Sequence, residues 1–138
     1  MQMTRIDEQA RRLDEEYQAI SQLFDQFCQQ AGALAEQYRF LKWPDYEETP
    51  PRIRAFTLLG EPRELRLHCQ PGEHGILHGI IQIVDEEEQL HASLGFRADG
   101  HLLLESGRLL DNPPGLLLKL LIGSIWKDKS SAATSQPH

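Results

Sequence analysis

The most regular pattern of apolar residues lies in the first part of the chain. From Ile6 to Tyr38 apolar side chains recur at alternating intervals of four and three residues, which places them on one face of an α-helix. A helix from Arg5 to Leu41 would be about 55 Å long, whereas a compact chain of this size has a radius of gyration of about 14 Å. The helix therefore projects from the domain and finds a partner, or it breaks at Gly32. This stripe consists of Ile6, Ala10, Leu13, Tyr17, Ile20, Phe24, Phe27, Ala31, Leu34 and Tyr38.

The residues in and beside the stripe favour packing within a domain over a parallel coiled coil. The flanking positions carry no row of opposite charges that would specify a parallel partner. Tyr17, Phe24 and Tyr38 are also bulky for the core of a two-stranded coil, which prefers Ile or Val. We therefore expect residues 1–41 to form a helix that packs on a sheet or in a short bundle.

Residues 42–51 interrupt the helical pattern. Their three prolines are incompatible with a continuous helix, so we interpret this segment as a connector. Two interpretations of Trp43 and Tyr46 remain open. They form part of a recognition surface for a partner, or they hold the connector on its own domain.

Beyond the connector, short runs of alternating apolar and polar residues predict an antiparallel meander of about five strands. A two-residue turn at Glu86 and Glu87 would pair Val84 with Gln89. A second turn, at residues 98–100, would add the last strand. In this register one core face carries Leu77, Gly79, Ile81, Ile83, Leu90, Ala92, Leu94, Phe96, Leu102 and Leu104.

The last element is a nearly all-apolar helix. Residues 111–114, Asp-Asn-Pro-Pro, are typical of a helix start, and the pattern continues to about Trp126. Such a helix is normally buried, so we assign it to the core. The alternative is insertion at a membrane interface beside Lys119 and Lys127. Residues 127–138 are small and polar, and we expect them to form a disordered tail.

The length and charge of the chain indicate that these elements form one acidic domain. The 138 residues are 40% apolar, enough for a single core, and they carry a formal net charge of −7 at pH 7. We therefore predict an α+β fold in which residues 52–126, the sheet and last helix, form one domain with the first helix. Acidity argues against direct binding of nucleic acid, because both surfaces are negative.

The distribution of charge indicates where a basic protein partner would bind. Residues 43–100 carry five basic and eleven acidic side chains, so most of the excess charge belongs to the connector and the sheet. No apolar run is long enough to span a bilayer and no signal peptide is evident. Cys28 and Cys69 form no disulfide framework or metal motif. We expect a cytoplasmic protein, with membrane binding disfavoured.

Six histidines raise the question of a metal or acid-base site. In the predicted register His78 lies opposite Gly95 and His91 opposite Gln82, about 13 Å apart along the sheet. One metal ion cannot bridge that distance, and His101 lies opposite Arg97. We therefore predict no metal site, no cofactor and no catalytic group from these residues.

The sheet face opposite the core carries more apolar residues than a fully solvated face would. We predict that it binds a partner, and that the chain is a small acidic protein-binding module: an adaptor, an inhibitor or a chaperone-like homodimer. One alternative is a small-ligand binder or enzyme that uses the histidine-bearing face, with His78, His91 and His101. Another is an acidic mimic of nucleic acid that blocks a DNA- or RNA-binding protein. The predicted partner-binding residues are Ile76, His78, Ile80, Gln82, Val84, His91, Leu103, Trp43 and Tyr46.

Overall fold

The computed structural model describes the backbone of residues 2–43 and 53–135 and the side chains of residues 5–43 and 53–126. Within these ranges the predicted α+β fold is confirmed. A long helix is followed by a five-stranded antiparallel sheet and a second helix. The elements in chain order are α1 Gln2–Ala31, β1 Leu41–Lys42, β2 Ile53–Leu58, β3 Glu61–Pro71, β4 Leu77–Val84, β5 Leu90–Arg97 and α2 Pro113–Ser135.

The α-helical part of the first element ends one residue before Gly32. A 3₁₀ helix, Gly32–Glu36, follows α1 directly. A Cβ atom on Gly32 would lie 2.6 Å from Cδ1 of Trp43, too close for any side chain. The glycine therefore lets Trp43 pack against the point where the helix changes.

The sheet is a simple meander in which each strand pairs with its neighbours in sequence. Its first strand, β1, was not predicted and pairs Leu41 with Leu58. The predicted last strand is not formed: beyond an isolated bridge between Phe96 and Leu102, the backbone N–H of Leu102 donates to the carbonyl of Gly107. This hydrogen bond closes a small loop, and Leu104, predicted for the core, is 97% exposed.

The predicted register between β4 and β5 was wrong by two residues. Ile81 pairs with Leu94 where we expected Ala92. The connecting turn is longer than two residues because the Asp85 carboxylate accepts the backbone N–H groups of Glu87 and Gln89. A shift of two preserves the side of the sheet on which each residue lies. Between Ile83 and Val84 a β-bulge changes the register, so Val84 pairs with Leu90, and Leu90, predicted for the core, is 44% exposed. The corrected pairs place His78 opposite Arg97 and Gln82 opposite Ser93.

Both helices pack on the same face of the sheet. α1 contacts β3 and β4, while α2 contacts β5 and α1. Leu117 and Leu121 of α2 are fully buried, which confirms its place in the core. Within the described part of the chain, no helix is long and apolar enough to cross a membrane.

α2 extends past its predicted end at Trp126 to Ser135. The side chains beyond Trp126 lie outside the described residues, so the disordered tail stays a prediction. The buried core comprises Ile20, Phe24, Phe27, Cys28, Ala31, Leu34, Leu41, Phe56, Leu58, Leu65, Leu67, Leu77, Ile81, Ile83, Leu94, Phe96, Leu109, Leu117, Leu120 and Leu121.

Candidate interaction surfaces

The open face of the sheet, opposite the two helices, carries most of the predicted partner-binding residues. His78, Ile80 and Gln82 lie along β4 on this face and are half-buried. Val84 is 5% exposed and therefore offers little surface to a partner. Ile76 is 40% exposed and lies in the turn before β4.

Leu103 lies over the edge strand of this face. Its backbone N–H donates to the carbonyl of Gly95 at 3.0 Å. A Cβ atom on Gly95 would lie 2.6 Å from Cδ1 of Leu103, so the glycine accommodates this leucine. The half-buried Leu103 thus covers part of β5 with the chain's own residue.

The two aromatic residues predicted for recognition have separate outcomes. The ring of Trp43 lies 5.5 Å from that of Phe56 and packs against the core. This contact agrees with the interpretation in which an aromatic residue holds the connector on its own domain. Tyr46 lies outside the described residues.

A histidine-carboxylate pair closes one end of the open face. Nε2 of His91 lies 2.8 Å from Oδ2 of Asp85, and both side chains are mostly buried. The hydrogen bond from His91 and the backbone N–H groups of Gln89 and Glu87 lower the pKa of Asp85 to about 2. The Asp85 carboxylate therefore stabilises the β4–β5 turn as an anion.

A shared arginine connects the same turn to β3. Arg66 donates through both terminal nitrogens to Glu88, and Nη2 also donates to Glu64 at 2.7 Å. The hydrogen bonds to Glu88 and then Glu64 are the main reasons why the pKa of Arg66 is raised above its usual value. Two carboxylates thus share one guanidinium, which reduces the negative charge of this end of the sheet.

The histidines do not converge on one site. His91 pairs with Asp85, while Nδ1 of His101 lies 3.0 Å from Asp99. His78 pairs across the sheet with Arg97. Among the residues whose side chains are described, no three His, Cys, Asp or Glu residues are grouped so that they could bind a metal ion.

A groove runs between the edge of β5 and α2. It encloses a cavity of about 290 Å³. An ion pair between Lys119 and Glu105, 2.8 Å long, lies where this cavity meets a second one of about 240 Å³. The first cavity is lined on its two sides by Ala92, Ser93, Leu94, Leu116, Leu120 and Gly123.

Residues 5–19, the exposed half of α1, carry a second apolar surface. Ile6 is 55% exposed, Leu13 50% and Tyr17 41%, whereas the stripe is buried from Ile20 to Leu34. Glu16 anchors this half to the sheet, because its carboxylate accepts the backbone N–H of Leu77 at 3.3 Å. The first turns of α1 thus present large apolar side chains to solvent.

No family model, no curated protein and no solved structure matches this chain. The interpretation of function therefore depends on the geometry of these surfaces.

Sequence reasoning missed the groove beside β5. It placed the last predicted strand along this edge, with Leu102 opposite Phe96 and Leu104 opposite Leu94. The available signal was Gly123, a glycine inside a mostly apolar helical pattern, since an isolated glycine in a helix often has a packing or functional reason.

Proposed function

We propose that this chain is a small protein-binding module that binds its partner through the exposed half of α1. The observation that carries the proposal is the continuity of the stripe. Ile6 and Leu13 occupy the same positions in the repeat as Ile20 and Phe27, which are fully buried. An apolar stripe of this length on a surface helix is typical of a protein interface.

The charges beside the stripe define the chemistry of the partner. Asp7 and Asp14 flank it on one side. On the other side Glu16 is mostly buried and lies 3.9 Å from Nε of Arg12, so the charge available to a partner is that of the two aspartates. The arginines of this segment lie at positions away from both flanks. A basic amphipathic helix, with apolar residues at the interface and Lys or Arg beside them, complements this surface.

The same charges disfavour pairing between two copies of α1. In an antiparallel pair Asp7 of one copy would lie near Asp14 of the other, and in a parallel pair the flanks offer no opposite charges. A homodimer, which we also expected from the sequence, stays a prediction and would need another surface. Sedimentation at micromolar concentration that yields only a 15.8 kDa species would refute it.

Cytoplasmic location also remains part of the proposal. Neither a small-ligand site nor nucleic-acid mimicry has a specific observation in its favour. The histidines that the first would use do not share a site: His91 and His101 pair with Asp85 and Asp99, and His78 lies opposite Arg97 in the sheet.

The test uses two synthetic helical peptides of about three heptads with identical apolar positions, one flanked by Lys and the other by Glu. We expect calorimetry to show that the Lys peptide binds at least about tenfold more tightly, and that its affinity falls with salt. Equal affinity of the two peptides, or no binding of the Lys peptide, would contradict the proposal.

A matched pair of variants locates the binding surface. Leu13→Glu adds a negative charge on the stripe, whereas Gln22→Glu adds the same charge on the opposite, exposed side of the helix. We expect at least a tenfold loss of Lys-peptide affinity for the first variant and less than about a twofold change for the second. Equal losses would place binding elsewhere.

A further inference from the structure

The outer edge of β5 offers backbone groups that nothing in the described part of the chain binds. Toward the end of the strand, the N–H of Arg97 donates to the carbonyl of His101, and the carbonyl of Gly95 accepts the N–H of Leu103. Because backbone groups alternate in direction along a strand, the N–H and C=O of Ser93 point to this same side. The edge is thus covered at one end and open at the other.

The opposite edge of the sheet has the protection that β5 lacks. β1 is two residues long and carries the exposed Lys42, and both features discourage the addition of another strand. The open stretch of β5, residues 91–94, is His-Ala-Ser-Leu and contains no Lys, Asp, Glu or Pro. The two edges therefore differ in whether they permit a further strand.

α2 forms one wall of the space into which such a strand would fit. The cavity of about 290 Å³ lies between this helix and the β5 edge, and Leu116 and Leu120 give the helix wall an apolar surface. This volume is near the lower end of the range for sites that enclose small ligands. A cavity of this size fits a short extended segment that inserts the side chains of only one of its two faces.

Gly123 widens the groove, although no contact within the domain requires a glycine at this position. A Cβ atom at this position would meet no other atom within 4 Å. Glycine inside a helix lowers its stability relative to alanine, so the residue is unfavourable and has no packing reason. Because Gly123 lines the cavity, its missing side chain leaves room for something beside the helix.

We propose that this groove binds an extended peptide segment of another protein, which joins the sheet as a sixth strand. The segment forms strand hydrogen bonds with Ser93 and places an apolar side chain at every second position against Leu116 and Leu120. This mode of recognition uses the backbone for affinity and alternate side chains for specificity. It is separate from the exposed half of α1.

The arrangement of α2 favours a peptide over a second copy of this chain. The edges of two copies would meet about a two-fold axis beside β5. Each copy has an α2 that contributes a wall over that same space, so the two helices would compete for it. A segment of a partner that has no such helix beside it avoids this conflict.

The test selects binders from displayed random peptides of roughly seven residues, about 23 Å when extended. The full chain and its Gly123→Leu and Gly123→Ala variants serve as targets. We expect enriched peptides to have apolar residues at alternate positions and to bind the wild type and Gly123→Ala similarly. Affinity for Gly123→Leu should fall at least about tenfold, because the leucine fills the groove while both substitutions raise helix propensity equally.

Amide hydrogen exchange provides the second measurement. The Ser93 amide should exchange rapidly in the free protein and at least about tenfold more slowly when a selected peptide is bound. Peptides that bind all three proteins equally, that leave Ser93 unprotected, or that match residues 44–52 or 127–138 of this chain would overturn the proposal of an external partner strand.

The same peptides separate this inference from the proposed role of α1. Their affinity should be unchanged in Leu13→Glu, which affects only the exposed half of α1. If they lose affinity in that variant and not in Gly123→Leu, the groove proposal fails and the α1 proposal stands. If the Lys peptide fails to bind while the selected peptides still bind the groove, the α1 proposal fails and the groove proposal stands.

Discussion

The two halves of α1 carry one continuous apolar stripe in different surroundings. From Ile20 to Leu34 the stripe packs against the sheet and α2, whereas from Ile6 to Tyr17 its large side chains are about half exposed. Apolar periodicity therefore identifies the face of a helix that is suited to contact other parts of a protein, but it does not identify what covers that face.

The difference arises from length. α1 has 30 residues and spans about 45 Å, whereas β3 and β4, the strands it contacts, have 11 and eight residues and span about 36 and 26 Å. The helix is therefore longer than either strand beneath it. Substitutions on either side of Ile20 test whether α1 has a core half and a binding half.

Phe24→Ala should have the largest effect. Phe24 is fully buried, and removal of such a ring costs about 3–5 kcal/mol through lost burial and the cavity left behind. Urea unfolding followed by circular dichroism measures the loss. Leu13→Ala is the matched control in the exposed half, where a change within about 0.5 kcal/mol is expected; similar losses at both positions would remove the distinction between the halves.

Gly32→Ala should come second, because the boundary between α1 and the 3₁₀ helix depends on close contact with Trp43. The added Cβ would lie 2.6 Å from the indole, and such overpacking costs about 1–3 kcal/mol. Chemical unfolding monitored by tryptophan fluorescence provides the measurement. Gly123→Ala, where a Cβ meets nothing, should instead stabilise by up to about 1 kcal/mol, and stabilisation by both substitutions would contradict the Trp43 explanation.

Amide exchange along α1 should show a smaller difference between the halves. Amides before residue 12 have helical hydrogen bonds with little tertiary support, and isolated helices of this length are marginal in water. We expect them to exchange at least about tenfold faster than amides of residues 20–30. Uniform protection along α1 would show that the exposed half is held by contacts other than those described.

Thiol chemistry should show the smallest change. Burial raises the pKa of Cys28 to about 12, although the nearby Arg54 opposes this shift. Cys28 should therefore remain unmodified by iodoacetamide at pH 8, since the thiolate is the reactive form. A cysteine introduced by Gln18→Cys should react within the same period. Mass spectrometry of the peptides distinguishes the sites, and rapid labelling of Cys28 would indicate that the buried half opens.

The sequence was sufficient to predict both helices, strands β2 to β5 and most core positions of β4 and β5. Alternation along β4 and β5 identified Ile81 and Leu94 as core residues even though their predicted partners were wrong, because a shift of two residues keeps each side chain on its face. The register itself depended on the Asp85 side chain, whose hydrogen bonds lengthen the turn. Hydrogen bonds between a side chain and nearby backbone groups compete with strand pairing, and the pattern of apolar residues hardly reflects them.

The candidate surfaces were less predictable. Whether β5 has an open edge depends on where the chain turns after Leu102 and where α2 settles, and both depend on tertiary contacts. β1 escaped prediction because its two residues, Leu41 and Lys42, are too few to show an alternating pattern. The exposed half of α1 came closest to prediction, since helix length indicated that the helix would either project beyond a compact domain or break at Gly32.

The packing of α1 against α2 joins the first and last helices of the domain. Leu117 and Leu121 complete the core around Phe24 and Phe27, although the whole meander lies between these residues in sequence. Contacts between residues so far apart in sequence slow folding, because a long loop must close before they form. The domain should therefore fold more slowly than a helical bundle of the same length.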